Sequence, residues 1–175
     1  LERIARAANV PTASVRQRYD ALSATRSLSE LLDVARIEYH APADATRLTS
    51  LPDASLDVVY SNSVLEHVPR SVIAAMMTET FRILSNDGYM IHAVACNDHY
   101  AHFDRSISFV NFLSFDEVQW KTWNNSLQFQ NRMRAPEFLE IASACGFRVL
   151  HEARAVRPGT REALAKMRVS PEFAH

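Results

Sequence analysis

From Leu1 to about Ala35 the apolar positions recur at helical spacing. Ile4, Ala7 and Ala8 mark one short face, Val15, Tyr19 and Leu22 mark another, and Pro11 separates them. Ser27-Leu28-Ser29-Glu30 has the spacing of a capping box, in which Ser27 accepts a free backbone N–H and Glu30 reaches back to the cap. A third short helix, buried through Leu31, Leu32 and Val34, is predicted there. The pattern then changes. Ile37-Glu38-Tyr39-His40 reads as a short strand ended by Pro42, and Leu56-Asp57-Val58-Val59-Tyr60 reads as a buried strand between Pro52-Asp53 and Ser61-Asn62-Ser63.

The clearest helix follows Pro69, because Val72, Ile73, Met76, Met77, Phe81 and Leu84 recur at spacings of three and four. Arg70, Thr78, Glu79 and Arg82 fill its other face. Asn86-Asp87-Gly88, which tolerate positive φ, are expected to end it before a strand over Tyr89 to Ala95. The alternation recurs as a helix over Pro136 to Cys145, a stop at Gly146 and a strand from Phe147 to about His151. Strand, helix and strand with short connections imply an α/β fold with a parallel sheet and right-handed crossovers.

An aromatic-rich insert between Tyr100 and Phe129 fits a substrate-covering lid or a second small core, the second being the simpler reading. Within it, Ser114-Phe115-Asp116-Glu117 has capping-box spacing and predicts a short helix bearing Val118. Residues 157–175, with Leu164 and Met167 at helical spacing, read as a peripheral helix with a solvated charged face.

Composition narrows the function classes. The chain has 175 residues, 47% of them apolar, enough for one ordinary core. Nineteen Lys and Arg against 20 Asp and Glu give none of the broad positive field of a nucleic-acid binder. Only 3 glycines occur, at Gly88, Gly146 and Gly159, so no glycine-rich phosphate or dinucleotide loop can be written. Cys96 and Cys145 sit in apolar surroundings without a CxxC pair, as thiols of a reducing, cytoplasmic compartment do. No run is long enough to span a membrane, and the start Leu1-Glu2-Arg3 suggests a fragment.

In an open parallel sheet, ligands bind beyond the carboxyl ends of the strands. The polar residues there are Asp44 after the first strand, Ser61, Asn62, Glu66 and His67 after the second, and Asn97, Asp98 and His99 after the third. An Asp44 carboxylate can accept from an exocyclic amine while the small Ala45 leaves a backbone N–H open to a ring nitrogen, which suits a purine; equally, Asp44 can cap a turn before Leu48. His99 and His102, flanked by Asp98 and Asp104, offer nitrogen and oxygen ligands, but three-residue spacing puts two ligands on one face only in a helix, and Asn97-Asp98 reads as loop. No metal site is assigned on that signal. One of these histidines, or His67, is instead a general base for an acceptor hydroxyl or amine, or a hydrogen-bonded loop residue. His92, inside an apolar strand, reads as a satisfied core residue.

Several of these pieces, in order, resemble a class I S-adenosylmethionine-dependent methyltransferase of the type 11-like group. The matching text is Ala43-Asp44-Ala45, Leu51-Pro52-Asp53, Leu56-Asp57-Val58-Val59, Ser61-Asn62-Ser63-Val64-Leu65-Glu66-His67-Val68, and Phe81-Arg82-Ile83-Leu84 with Asn86-Asp87-Gly88. It covers roughly Arg36 to Leu150, and Asp98 to Asp104 with Asn111-Phe112-Leu113 looks like a bacterial subgroup. The resemblance implies methyl transfer from S-adenosylmethionine to a small-molecule acceptor. It places Asp44 and Ala45 beside the adenine, and Ser61, Asn62, Ser63, Val64, Glu66 and His67 along the methionine end; His67, His99 and Asp104 are the catalytic candidates.

The family's first strand, glycine-rich turn and second-strand acid have no counterpart before Arg36. The expected fold is therefore a partial Rossmann-like methyltransferase sheet, mostly parallel, with N-terminal helices and the first two strands missing. Its expected parts are a helical segment 1–35, a partial methyltransferase domain 36–156 with the insert 100–129, and a peripheral helix 157–175. In the family order 3-2-1-4-5-7-6, Ile37 to His40 is the third strand and Leu56 to Tyr60 the fourth. The expected consequences are impaired cofactor binding and self-association through an uncovered sheet edge. The alternative functions are a non-catalytic or partner-dependent module, and, third, a metal-dependent enzyme using His99 and His102.

Overall fold

Helix α1 (Glu2–Ala8), α2 (Thr12–Ser23) and α3 (Leu28–Ala35) account for the N-terminal apolar pattern. The computed structural model describes residues 1–174, and these helices lie in a unit of their own, Leu1–Ala43. Ser27 caps α3 as expected, accepting from the Glu30 N–H at 3.2 Å. The Glu30 carboxylate reaches one residue further back than a capping box requires and accepts from Arg26 N–H at 2.8 Å.

The expected strand Ile37 to His40 does not form. The Ile37 N–H closes the end of α3 by donating to Leu32 O at 2.9 Å, and Ile37 and Tyr39 are exposed. With its first amide spent on a helix terminus and no strand beside it, the segment has no ladder to join.

The unit from Asp44 onward is built on β1 (Leu56–Asn62), α4 (Arg70–Ile83) and β2 (Leu84–Ala93), with β1 and β2 paired in parallel. Helix α4 runs directly into β2, and Leu84, which ends the helix, already pairs with Leu56. The next paired residues are Val58 and Tyr89, so Ser85 to Gly88 bulge out of the ladder. The expected turn at Asn86-Asp87-Gly88 is thus an irregularity inside the strand rather than the end of the helix. Gly88 is required there, since a Cβ would lie 2.9 Å from Leu84 Cδ2 and 3.0 Å from Ser85 O.

Strand alternation gives the sheet two unlike faces. Val59, Ser61, Met90 and His92 are half-buried, while Val58, Tyr60, Tyr89 and Ile91 are exposed. Ile73 and Met77 of α4 join Leu65, Met133 and Phe138, Ile141 and Ala142 of α6 (Ala135–Ala144) in the main core, with Met90 packed against it. Helix α6 ends at Gly146 with φ +96°, as expected, and Phe147 N–H returns to Ala142 O at 3.0 Å. The strand expected from Phe147 to His151 is absent: Val149 and Leu150 are exposed and no ladder partner lies beside them. Among the described residues the sheet has two parallel strands, fewer than the resemblance implies.

The aromatic insert and the C-terminal segment make a second core. Val110, Phe112, Leu113 and Trp120 are buried, with Tyr100, Phe115, Leu164, Met167 and Phe173 packed around them. Helix α5 (Glu117–Trp123) starts two residues later than expected, because the capping box is Asp116 with Gln119. Ser114 instead donates its hydroxyl to Asn111 O at 2.7 Å and closes a preceding 3-10 turn. Helix α7 (Thr160–Lys166) and the turn Pro171–Phe173 are not merely peripheral. Glu172 accepts from the buried Arg132 guanidinium at 3.0 Å, which Glu117 also meets at 3.2 Å and which stacks near Trp120 and Phe173. No helix among the described residues is long and apolar enough to cross a membrane.

A second arginine fixes the turn ahead of β1. Arg82 pairs with Glu79 at 2.6 Å and Asp53 at 2.5 Å, and donates to Leu48 O and Leu51 O at 3.1 Å each. Glu79 also accepts the Leu48 N–H at 2.6 Å. The Arg82 guanidinium and that N–H hold the Glu79 carboxyl down to about 2.

A carboxyl depressed on folding stabilises the protein above its unfolded value and stops doing so as pH falls toward its folded value. Wild-type melts should therefore lose stability between about pH 4.5 and 2 to a greater extent than those of Glu79→Gln, which starts lower and falls less over that window. In the second core, Arg132→Ala should cost about 2 kcal/mol in denaturant unfolding, because the Phe112 and Phe115 carbonyls lose their donor and the packing of the guanidinium on Trp120 and Phe173 goes with it.

Candidate active site

The carboxyl end of β1 continues through Ser63, held at φ 53° with its N–H on Ala93 O at 2.9 Å, into a 3-10 turn at Leu65–His67. This turn is held from two sides. Ala95 N–H, just past β2, donates to Glu66 Oε1 at 3.3 Å. Asn131 donates its backbone N–H to Glu66 O at 2.8 Å and its side-chain amide to Leu65 O and Val68 O at 2.6 and 2.7 Å.

Glu66 is consequently only 1% exposed, and its Oε2 is buried with no hydrogen-bond partner. Beside it, His67 has Nδ1 at 2.8 Å from Phe129 O. A carbonyl can only accept, so Nδ1 carries a proton, and it is Nε2 that the ring turns away from Phe129.

The third member comes from beyond β2. Asp98 is fully buried and caps a 3-10 turn at His99–His102, accepting from Tyr100 N–H at 2.9 Å and Asn111 Nδ2 at 3.3 Å. Burial pushes its carboxyl above the usual range. The reading of this stretch as loop is thus corrected: it is helical, and the His99 and His102 rings lie 5.7 Å apart.

His102 turns to Asn97 Oδ1 at 3.2 Å, whereas His99 faces His67, with ring centroids 4.9 Å apart. Burial, and then the neighbouring His67, hold the His99 imidazole below its usual value. Ligating atoms of Glu66, His67 and His99 all lie within 4.8 Å of one another.

The other expected site residues scatter more widely. Asp104 is exposed and its Oδ1 is taken by Ser106 N–H at 2.8 Å and Ser106 Oγ at 2.7 Å, so nothing brings it to the imidazoles. Asp44 shows the turn-capping arrangement, with Oδ1 accepting from Thr46 N–H at 2.9 Å and Thr46 Oγ1 at 2.7 Å. The Thr46 N–H is the main reason its carboxyl lies below the usual range.

Ala45 and Ser61 line a cavity of about 220 Å³ beneath the sheet, with Leu48, Val59, Met76 and His92. His92, expected as a core residue, bonds Ser61 Oγ at 2.7 Å, and burial lowers its pKa. Asn62 and Val64 are exposed on the rim. Asn131, Phe129 and Gln130, whose Oε1 accepts the His99 N–H at 3.2 Å, carry no motif and act through one carbonyl and two amides brought from far along the chain.

The cavity sits below the roughly 300–1,000 Å³ usual for a drug-sized ligand. Its lining, apolar but for Ser61, Thr80 and His92, leaves room for a group of about the size of adenine. The 175 residues contain no glycine-rich turn to meet a carboxypropyl group.

Residues 11–92 match a family model described as a methyltransferase domain. This bears out the resemblance to class I S-adenosylmethionine-dependent methyltransferases over the segment that runs through β1, α4 and most of β2. The match reaches further toward the N-terminus than the residues on which the resemblance rested, taking in α2 and α3, and stops at His92, short of the aromatic insert. No curated protein and no solved structure matches the chain.

Asn131→Ala should lower stability by about 2 kcal/mol, since it strips donors from two carbonyls of the Leu65–Val68 turn. Hydrogen exchange should quicken at the His67 and Val68 amides while the α4 interior keeps its protection.

Proposed function

We propose that the unit from Asp44 onward methylates a hydroxyl or amine of a small acceptor at the rim formed by the carboxyl ends of β1 and β2. The observation carrying this reading is the coincidence of the methyltransferase-domain match with a polar cluster beyond those strand ends. S-adenosylmethionine, when bound, supplies a methyl carbon attached to a sulfonium sulfur, an electrophile that needs alignment more than activation.

The chain's own contributions are the following. Ala45 and the cavity beneath β1 receive the adenine, Asp44 offers its second carboxylate oxygen to the exocyclic amine, and Ser61 to Val64 lie along the methionine end. His67 and His99 face the acceptor side. An imidazole in its neutral form there would take the proton that the acceptor loses as its lone pair bonds to the methyl carbon and the sulfur–carbon bond breaks, leaving the neutral thioether.

Calorimetric titration with S-adenosylhomocysteine tests the cofactor half. The expected result is saturable binding with a Kd on the order of millimolar, because the carboxypropyl grip is lacking, and a roughly tenfold loss in Asp44→Ala. Absence of saturable binding, or binding indifferent to Asp44→Ala, would overturn the assignment.

A further inference from the structure

Glu66, His67 and His99 have a property that a catalytic base does not need. Their ligating atoms converge within 4.8 Å, yet no hydrogen bond or ion pair joins any two of them. The gap is the size of one ion. Ligands at about 2.0–2.2 Å from a tetrahedral centre stand roughly 3.4 Å apart, so closure asks only for small side-chain rotations.

Independently, the Glu66 carboxylate is buried with Oε2 unpartnered, an arrangement costly for a carboxylate unless a cation completes it. No arginine or lysine pairs with Glu66 among the described residues. The imidazoles supply the complementary half. His67 donates Nδ1–H to Phe129 O, the outer bond that orients a metal-binding histidine and presents Nε2.

We infer that Glu66, His67 and His99 form a binding site for a divalent first-row transition ion, of the two-histidine, one-carboxylate kind that zinc and iron(II) accept. Three protein ligands leave coordination positions open toward the rim. With the ion bound, the imidazole lone pairs are taken up as ligands, and an acceptor hydroxyl held at the ion would be acidified by it and lose its proton to solvent in place of a ring nitrogen. The ion site rests on the side-chain geometry alone, so its presence does not depend on methyl transfer.

Zinc titration of the metal-stripped protein, with no cofactor added, tests it. The expected result is one zinc per chain with micromolar or tighter affinity. That affinity should fall about 100-fold in His99→Ala and in His67→Gln, and survive in His102→Ala, whose imidazole is turned to Asn97. His67 is exposed, so His67→Gln retains the fold, and melts without zinc establish this for each variant. Zinc should also raise the wild-type melting temperature and shift the His67 Nε2 resonance. The inference is overturned if wild type binds no zinc, if His99→Ala and His67→Gln bind as wild type does, or if His102→Ala loses binding as His99→Ala was expected to. A protein that binds zinc here but not S-adenosylhomocysteine would refute the proposed function and leave the ion site standing.

Discussion

The arrangement of the whole strand-end region turns on one buried carboxylate. Placing Glu66 at 1% exposure is costly, and two distant segments hold the turn that carries it, although only Ala95 N–H reaches the carboxylate itself. Ala95 comes from the end of β2, Asn131 from the segment before α6, and Phe129 holds the adjoining His67. Without that turn the two strand ends have no common polar surface. With it, residues separated by more than thirty positions in sequence, Glu66 and His99, share one small space.

Rigidity behind the site has two sources. The α4–α6 core with Leu65 fixes the turn from below, and Asp98 fixes His99 by capping its short helix from a fully buried position. Arg82 and Arg132 act similarly at a distance from the site. Each gathers backbone carbonyls and carboxylates from separate loops, the first in front of β1 and the second between the insert and the C-terminal turn. Guanidinium groups suit this use because one planar fork serves several acceptors at once. The exposed row Val58, Tyr60, Tyr89 and Ile91 is the contrasting feature, a sheet face that no described element of this unit covers.

Local pattern carried the sequence reading where structure is local. The α4 periodicity, the Ser27 cap, the Gly146 stop and the strand character of Leu56 to Tyr60 all appear in the fold. Failures came where an element depends on a partner. Ile37 to His40 and Phe147 to His151 have strand-like composition, but a strand exists only through its neighbour, and none is supplied. The same limit applies to the site. Glu66, His67 and His99 were each visible as strand-end residues, whereas the His99–His102 spacing drew attention to a pair that the short helix presents in different directions. The bond from Phe129 O and the clamp by Asn131 use groups with no sequence signature. Asp104 looked equally suitable by position and is consumed by its own turn.

The proposal that leans most on the fold is that the ends of β1 and β2 form one ligand-binding rim. Amide chemical-shift mapping during titration with S-adenosylhomocysteine addresses it residue by residue. The account predicts perturbations confined to Ala45, Ser61 to His67 and Asn97 to His99, with the second core around Trp120 silent. Shifts centred on that second core or on the groove lined by Ile4, Val15 and Tyr19, with the strand ends unmoved, would contradict it.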